Sequence, residues 1–163
     1  MSDAGLTVLR INFRGVGEST GEHDEGRGET DDVRAALDYL TQHYAGKPLT
    51  LAGFSFGSLV GMEVGIADSR VTNLISIGTP VDKYDFSFLK SCRKPILFVH
   101  GDRDEFGAAG KIRTLAATLP QEAHARVEII ERADHFFDGR LDVVKRVITE
   151  WVTRQMMAMD QRS

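Results

Sequence analysis

Apolar residues along the chain fall into two patterns, short continuous runs and a spacing of three to four positions. The continuous runs are rich in Val, Ile, Leu and Phe, as buried strands are, and cover residues 47–52, 71–78, 95–100 and 126–130. The helical spacing covers approximately residues 30–45, 58–67, 108–119 and 141–156. A further run at residues 6–13 carries β-branched residues in alternation with polar ones, so it also predicts a strand.

Strands therefore alternate with helices along the whole chain. Because the strand cores are almost continuously apolar, we expect helices to cover both faces of the sheet. The predicted fold class is α/β, a three-layer α/β/α arrangement around a mostly parallel sheet. At 163 residues, the chain is expected to form a single domain over residues 1–163.

The most informative stretch is Gly53-Phe54-Ser55-Phe56-Gly57, which lies between a predicted strand and a predicted helix. This is the context of a nucleophile elbow, a tight turn that presents a serine hydroxyl above the sheet. The turn strains the serine backbone, so its neighbours must lack bulk, and Gly53 and Gly57 meet that need. The Phe56 amide is then expected to face a developing oxyanion. The pentapeptide alone is equally compatible with an ordinary turn.

Chemically useful side chains also follow two other strands. Ligands collect at the carboxyl ends of parallel strands, and Ser55, Asp104 and His135 all stand there. A serine hydroxyl needs a base, an imidazole can serve because it titrates near neutrality, and a carboxylate can orient that imidazole. We therefore predict Ser55 as nucleophile, His135 as base and Asp104 as the orienting acid. Asp102 in the same loop is the alternative acid, and His100 is expected to be structural.

Three other features carry weaker signals. Glycines 15, 17 and 21 follow a predicted strand, but their spacing departs from the dinucleotide-binding pattern and no helix follows directly. Residues 22–25 (Glu-His-Asp-Glu) are adjacent and cannot all face one ion, so we predict a solvated acidic loop. Cys92 has no partner motif and is expected to be an unreactive, half-buried thiol. No metal or cofactor is predicted.

Composition and charge limit the classes of partner and the cellular compartment that we expect for this protein. The net charge is -4 with both signs scattered, and no basic stripe marks a nucleic-acid surface. No apolar run approaches membrane-spanning length, and the N-terminus lacks the basic and apolar regions of a signal peptide. A single cysteine rules out an intramolecular disulfide, which favours the cytoplasm. The expected partner is a small-molecule substrate, not nucleic acid or a membrane.

Three segments together resemble the α/β-hydrolase superfamily. Residues 12–19 (Asn-Phe-Arg-Gly-Val-Gly-Glu-Ser) resemble the segment after the fourth strand of that fold, residues 100–104 (His-Gly-Asp-Arg-Asp) its acid loop, and residues 133–137 (Ala-Asp-His-Phe-Phe) its histidine loop. The resemblance covers nearly the whole chain and places the family's acid on Asp104. It is greatest to small bacterial hydrolases with little lid, related to dienelactone hydrolases and the Xaa-Pro peptidase-like branch. The short connection at residues 81–94 also leaves little room for a lid.

The resemblance implies three strands before residues 6–13, and the sequence contains none there. The family takes one oxyanion donor from the residue after the nucleophile, here Phe56, and a second from the loop after its third strand; losing one donor costs about 3 kcal/mol. The third strand would lie between residues 6–13 and 49–52. These two strands could close up and pair, or a second chain could fill the slot, as in a homodimer. We favour a third explanation, a shortened version of a longer protein in which Met1 is internal.

The leading functional prediction is a serine hydrolase of carboxylic esters, or less favourably of amides or thioesters. It would act through Ser55, His135 and Asp104. The alternative is a non-catalytic module of the same fold that binds a ligand or a partner, which the missing oxyanion loop favours. A nucleotide-binding protein would rest only on the glycines of residues 15–21.

Overall fold

Four parallel strands form the centre of the molecule, which a computed structural model describes over residues 5–161. They are β1 (Leu49–Phe54), β2 (Val71–Ile77), β3 (Ile96–Gly101) and β4 (Arg126–Ile130), and they lie in this order across the sheet. The helices are α1 (Arg27–His43), α2 (Phe56–Ala67), α3 (Ala109–Ala117) and α4 (Leu141–Asp160). Because all four strands are parallel, their carboxyl ends lie along one edge of the sheet.

Apolar side chains pack on both faces of this sheet. The cluster on one face includes Val60, Met62, Leu74, Phe98 and Ile112. The cluster on the other face includes Ile75, Leu97, Val99, Ile148 and Trp151. Leu74 and Ile75 are adjacent yet belong to different clusters, because successive side chains of a strand point to opposite faces. The predicted three-layer α/β/α fold is therefore confirmed, with α2 and α3 on one face and α4 on the other. No helix among residues 5–161 is long and apolar enough to cross a lipid bilayer.

Helix α1 begins at Arg27, earlier than the predicted start near residue 30. The buried Glu29 carboxylate accepts the N–H groups of Asp24 and Gly26, each at 2.9 Å. These bonds satisfy backbone donors that the start of a helix would otherwise leave unpaired. Glu29 is therefore the acidic residue of the first turn of α1. Burial alone would raise the pKa of Glu29, but the backbone donors hold it below its ordinary value.

Residues 6–13 do not form a strand, so that prediction is wrong. The segment has no regular secondary structure, and Val8, Leu9 and Ile11 are exposed. Within the described part of the chain, β1 pairs with β2 alone. The segment and β1 therefore do not pair with each other. This excludes the first of the three explanations for the missing third strand between them. Alternation gives a segment the capacity to be a strand, but a strand also needs a hydrogen-bonded neighbour.

The connection between β2 and β3 is short, as predicted, and carries one 3₁₀ helix, Ser87–Ser91. Cys92 follows it and is completely buried, so the prediction of a half-buried thiol is wrong. Its thiol donates to the Lys94 carbonyl oxygen at 3.4 Å. Burial raises the pKa of Cys92, which keeps the thiol protonated and unreactive near neutral pH.

Candidate active site

Ser55 lies in the turn that joins β1 to α2. Its backbone angles are φ 52° and ψ -123°, a combination that residues with a Cβ rarely adopt. Its N–H donates to the Ile77 carbonyl at 2.9 Å, and its own carbonyl accepts the Ser58 N–H at 2.8 Å and the Ser58 hydroxyl at 2.6 Å. These bonds hold the strained turn in place. Phe56 is the first residue of α2, so its N–H is among those that an α-helix leaves unpaired.

The two glycines of the turn have different roles. A Cβ on Gly53 would lie 2.1 Å from the Gly57 carbonyl oxygen, which no real side chain tolerates. A Cβ on Gly57 would lie 3.6 Å from the nearest atom of the Phe13 ring, an ordinary van der Waals contact. The expectation that both neighbours must lack bulk is therefore correct for Gly53 and wrong for Gly57.

Ser55, His135 and Asp104 meet at the carboxyl end of the sheet. Ser55 Oγ is 2.8 Å from His135 Nε2, and His135 Nδ1 is 2.9 Å from Asp104 Oδ2. A carboxylate only accepts hydrogen bonds, so these partners assign the imidazole proton to Nδ1 and leave Nε2 to accept from the serine hydroxyl. Asp104 Oδ1 also accepts the Phe106 N–H at 2.8 Å. His135 and Asp104 are only 2% and 8% exposed, so the imidazole–carboxylate bond is shielded from water.

Asp104, and not Asp102, is the carboxylate that contacts the histidine. The side chain of Asp102 is exposed, and its N–H donates to the Ile130 carbonyl at 3.1 Å. His100 is completely buried, with Nε2 2.6 Å from the Gly107 carbonyl oxygen and 3.6 Å from Asp104 Oδ2. A carbonyl needs a donor, so Nε2 carries the His100 proton. This bond attaches the backbone that follows the acid loop to the end of β3, a structural role of the kind expected for His100.

Three phenylalanine rings surround the imidazole of His135. The ring centroids of Phe106, Phe54 and Phe136 lie 4.6, 5.1 and 5.3 Å from that of the imidazole. Phe106 and Phe136 make edge-to-face contacts, and Phe54 is tilted. None of these rings was predicted from the sequence to belong to the site. The only available signal was that Phe54 and Phe136 are direct neighbours of Ser55 and His135 in the sequence.

The acidic segment at residues 22–25 uses its side chains locally. Asp24 accepts hydrogen bonds from the Arg27 side chain at 2.9 Å and the Gly28 N–H at 3.0 Å. His23 Nδ1 lies 2.8 Å from the buried Glu29 carboxylate. Across residues 5–161, no group of three or more His, Cys, Asp or Glu side chains is arranged to hold a metal ion. The side chains of this segment therefore stabilise the start of α1.

This arrangement can move a proton. The hydroxyl of Ser55 can pass its proton to His135 Nε2, and the imidazolium that forms would be stabilised by Asp104 through Nδ1. The start of α2 presents the Phe56 N–H and the positive end of a helix dipole beside the same hydroxyl. A hydroxyl, an imidazole, a carboxylate and the N-terminus of a helix thus lie together at one edge of the sheet.

Comparison with known proteins identifies related sequences. A family model described as the alpha/beta hydrolase fold matches residues 1–90. An uncharacterized protein of Rickettsia prowazekii is 39% identical over 157 residues, which are 92% of this chain and 66% of that protein.

Solved structures are similar over most of the chain. A candidate alpha/beta hydrolase of unknown function from Agrobacterium tumefaciens is 30% identical with a TM-score of 0.85, covering 96% of this chain and 73% of its own. A Xanthomonas campestris protein, described as a member of the α/β serine hydrolases without a lid, is 33% identical with a TM-score of 0.78. That comparison covers 88% of this chain and 64% of the Xanthomonas chain. The chain thus spans roughly two thirds of the length of these relatives.

Proposed function

Because the chain belongs to the α/β-hydrolase fold family, we propose that it is a serine hydrolase of carboxylic esters. In this proposal Ser55 is the nucleophile, His135 the general base and acid, and Asp104 the group that orients His135. The observation that carries it is the unbroken hydrogen-bonded series from Ser55 Oγ through both imidazole nitrogens to Asp104 Oδ2, at 2.8 and 2.9 Å. The description of the Xanthomonas relative as a serine hydrolase supports the same chemistry.

The first half of the reaction forms an acyl-enzyme. Ser55 Oγ attacks the ester carbonyl carbon while its proton passes to His135 Nε2. The carbonyl oxygen becomes an oxyanion, which the Phe56 N–H stabilises; a single donor of this kind contributes about 3 kcal/mol, or ~100- to 1,000-fold in rate. When the intermediate collapses, the carbon–oxygen bond to the alcohol breaks and His135 gives the proton to the leaving oxygen.

The second half releases the acid and restores the enzyme. A water molecule takes the place of the alcohol and loses a proton to His135 Nε2 as it attacks the acyl carbon. Collapse of this intermediate returns that proton to Ser55 Oγ and frees the carboxylic acid. Asp104 stays ionised throughout and stabilises the imidazolium in both halves. Amides and thioesters could follow the same steps, with a nitrogen or sulfur leaving group in place of the alcohol.

Labelling with a fluorophosphonate probe tests the proposal. The probe phosphonylates an activated serine, so mass spectrometry should find one adduct, and peptide mapping should place it on Ser55. Ser55→Ala is expected to abolish the adduct, and His135→Ala to slow its formation by several orders of magnitude because no base remains. Ser87→Ala is the matched control, because Ser87 is exposed and bonded to Asp85; it should label like the wild-type chain.

The same experiment separates the enzyme from a non-catalytic module. A folded wild-type chain that gains no adduct, or an adduct that persists in Ser55→Ala, would contradict the proposal. Absence of the adduct together with retained ligand or partner binding would favour the module. Hydrolysis of p-nitrophenyl acetate, lost in Ser55→Ala and retained in Ser87→Ala, would extend the result from labelling to turnover.

A further inference from the structure

Two exposed aromatic rings stand beside the proposed catalytic groups. Phe54 is 41% exposed and Phe136 is 59% exposed. Neither belongs to the apolar clusters on the two faces of the sheet. Their ring centroids are 6.0 Å apart, and each lies close to the imidazole of His135. They therefore form one continuous apolar surface next to His135 that contributes to neither core.

The backbone of β2 makes room for this surface. Gly78 follows β2 with φ 56°, a conformation that favours glycine. A Cβ at this position would lie 3.1 Å from the Phe54 ring and 3.2 Å from Cε1 of His135. Glycine thus allows the imidazole and the Phe54 ring to approach the strand end together. The position of the Phe54 ring is set by the same packing that sets the imidazole.

The direction of the reaction determines which part of an ester would lie on these rings. The leaving oxygen must come within hydrogen-bonding distance of His135 Nε2 to receive its proton. The carbonyl oxygen must point instead toward the Phe56 N–H. The group attached to the leaving oxygen therefore lies beside the imidazole, where Phe54 and Phe136 stand, and the acyl group extends elsewhere.

We propose that Phe54 and Phe136 form a subsite for an apolar, flat group on the alcohol side of the ester, which makes esters of aryl-bearing alcohols the preferred substrates. This inference rests on the proposed esterase function. Offset-stacked and edge-to-face contacts between aromatic rings are favourable, and covering the exposed ring surfaces adds hydrophobic stabilisation. For a single ring these terms correspond to roughly a twofold to tenfold gain in kcat/KM.

Two isomeric esters test the side on which the ring is recognised. In 2-phenylethyl acetate the ring is on the alcohol side, and in ethyl phenylacetate the same ring is on the acyl side. The measured quantity is the ratio of their kcat/KM values, with ester cleavage followed in a pH-stat. In the wild-type chain the ratio is expected to favour 2-phenylethyl acetate. In Phe136→Ala the ratio should fall about twofold to tenfold, because the more exposed ring of the pair has been removed.

Two control variants test whether the flat ring of Phe136 itself is responsible for the change in the ratio. Phe136→Leu keeps apolar bulk without a flat ring and should give an intermediate ratio. Tyr84→Ala removes another exposed aromatic side chain, one whose ring lies 6.0 Å from that of Phe56, and should leave the ratio unchanged. Fluorophosphonate labelling of Ser55 in each variant counts the active sites, so a misfolded variant is recognised by its lost labelling. If Phe136→Ala misfolds, the ratio in Phe136→Leu tests the proposal instead.

Failure of the subsite and failure of the function have different signatures. A wild-type chain that labels and hydrolyses both esters, but whose ratio is unchanged in both Phe136 variants, overturns the subsite alone. A ratio that shifts in the opposite direction, toward the alcohol-side ring, overturns it as well. A folded wild-type chain that neither labels nor hydrolyses either ester overturns the proposed function and the subsite with it.

Discussion

Replacing Ser55 with Gly and with Ala separates the strain at this position from its chemistry. Both variants lose the hydroxyl and its 2.8 Å bond to His135, so that loss cancels when the two are compared. They differ only in the Cβ, which Ala keeps and Gly removes. At φ 52° and ψ -123° a Cβ is crowded against the backbone, so the Ala variant retains the strain and the Gly variant loses it.

The size of the difference follows from two opposing effects. Strain of this kind costs on the order of 1–3 kcal/mol. Glycine lowers the stability of the folded state by about 0.5–1 kcal/mol, because it gives the unfolded chain more conformational freedom. We therefore expect Ser55→Gly to be more stable than Ser55→Ala by about 1 kcal/mol. For 163 residues, an unfolding entropy of roughly 2.1 cal/mol/K per residue converts this to a Tm about 3 °C higher.

Thermal unfolding followed by far-UV circular dichroism measures this difference directly, with urea unfolding as an independent check. Neither variant should label with the fluorophosphonate, so the comparison isolates stability from activity. A Ser55→Gly variant that melts at or below the temperature of Ser55→Ala would refute the reasoning. It would show that the turn accommodates a Cβ without strain.

Three further predictions follow from the contacts of the site and of α1. Gly53→Ala should prevent folding or lower the Tm by more than 10 °C, roughly, while Gly57→Ala should stay folded, because only the first Cβ meets the backbone. Asp104→Asn should lower kcat roughly 10,000-fold with little change in Tm, because an amide can donate to His135 Nδ1 and select the wrong tautomer. Glu29→Gln should cost about 2 kcal/mol at pH 7 in urea unfolding. Because the folded pKa of Glu29 is lowered, its contribution is complete above the ordinary carboxyl pKa of about 4.5 and should fade as the pH drops below it.

The sequence predicted the sheet well because its four strands are mostly apolar. A run such as Ile96 to Val99 can be buried only between two helical layers, and the helices between the runs show their spacing clearly. The prediction failed at residues 6–13, where alternation was read correctly but no neighbouring strand is present in the described chain. Strand pairing depends on a second segment that is distant in the sequence, so the pattern of one segment alone cannot predict it.

The candidate site also has parts that could be predicted from the sequence and parts that could not. Ser55, Asp104 and His135 could be chosen because residue type and position at strand ends restrict the choice strongly. Asp104 was favoured over Asp102 before the family resemblance agreed, and the structure brings Asp104 to the histidine. The rings around the imidazole were not predicted, because ring contacts depend on where loops turn. Positive φ angles at residues such as Phe137 set those turns, and sequence gives little sign of them.

The alignment of the three groups depends on backbone bonds that lie beyond the regular sheet ladder. The N–H of Ser55 donates to the Ile77 carbonyl at 2.9 Å, which ties the turn before α2 to β2. The N–H of Arg103 donates to the Ala133 carbonyl at 2.9 Å, which ties the acid loop to the histidine loop. Backbone bonds of this kind position side chains without depending on flexible side-chain contacts. The relative placement of Ser55, Asp104 and His135 is therefore built into β1–β4 and the loops at their carboxyl ends.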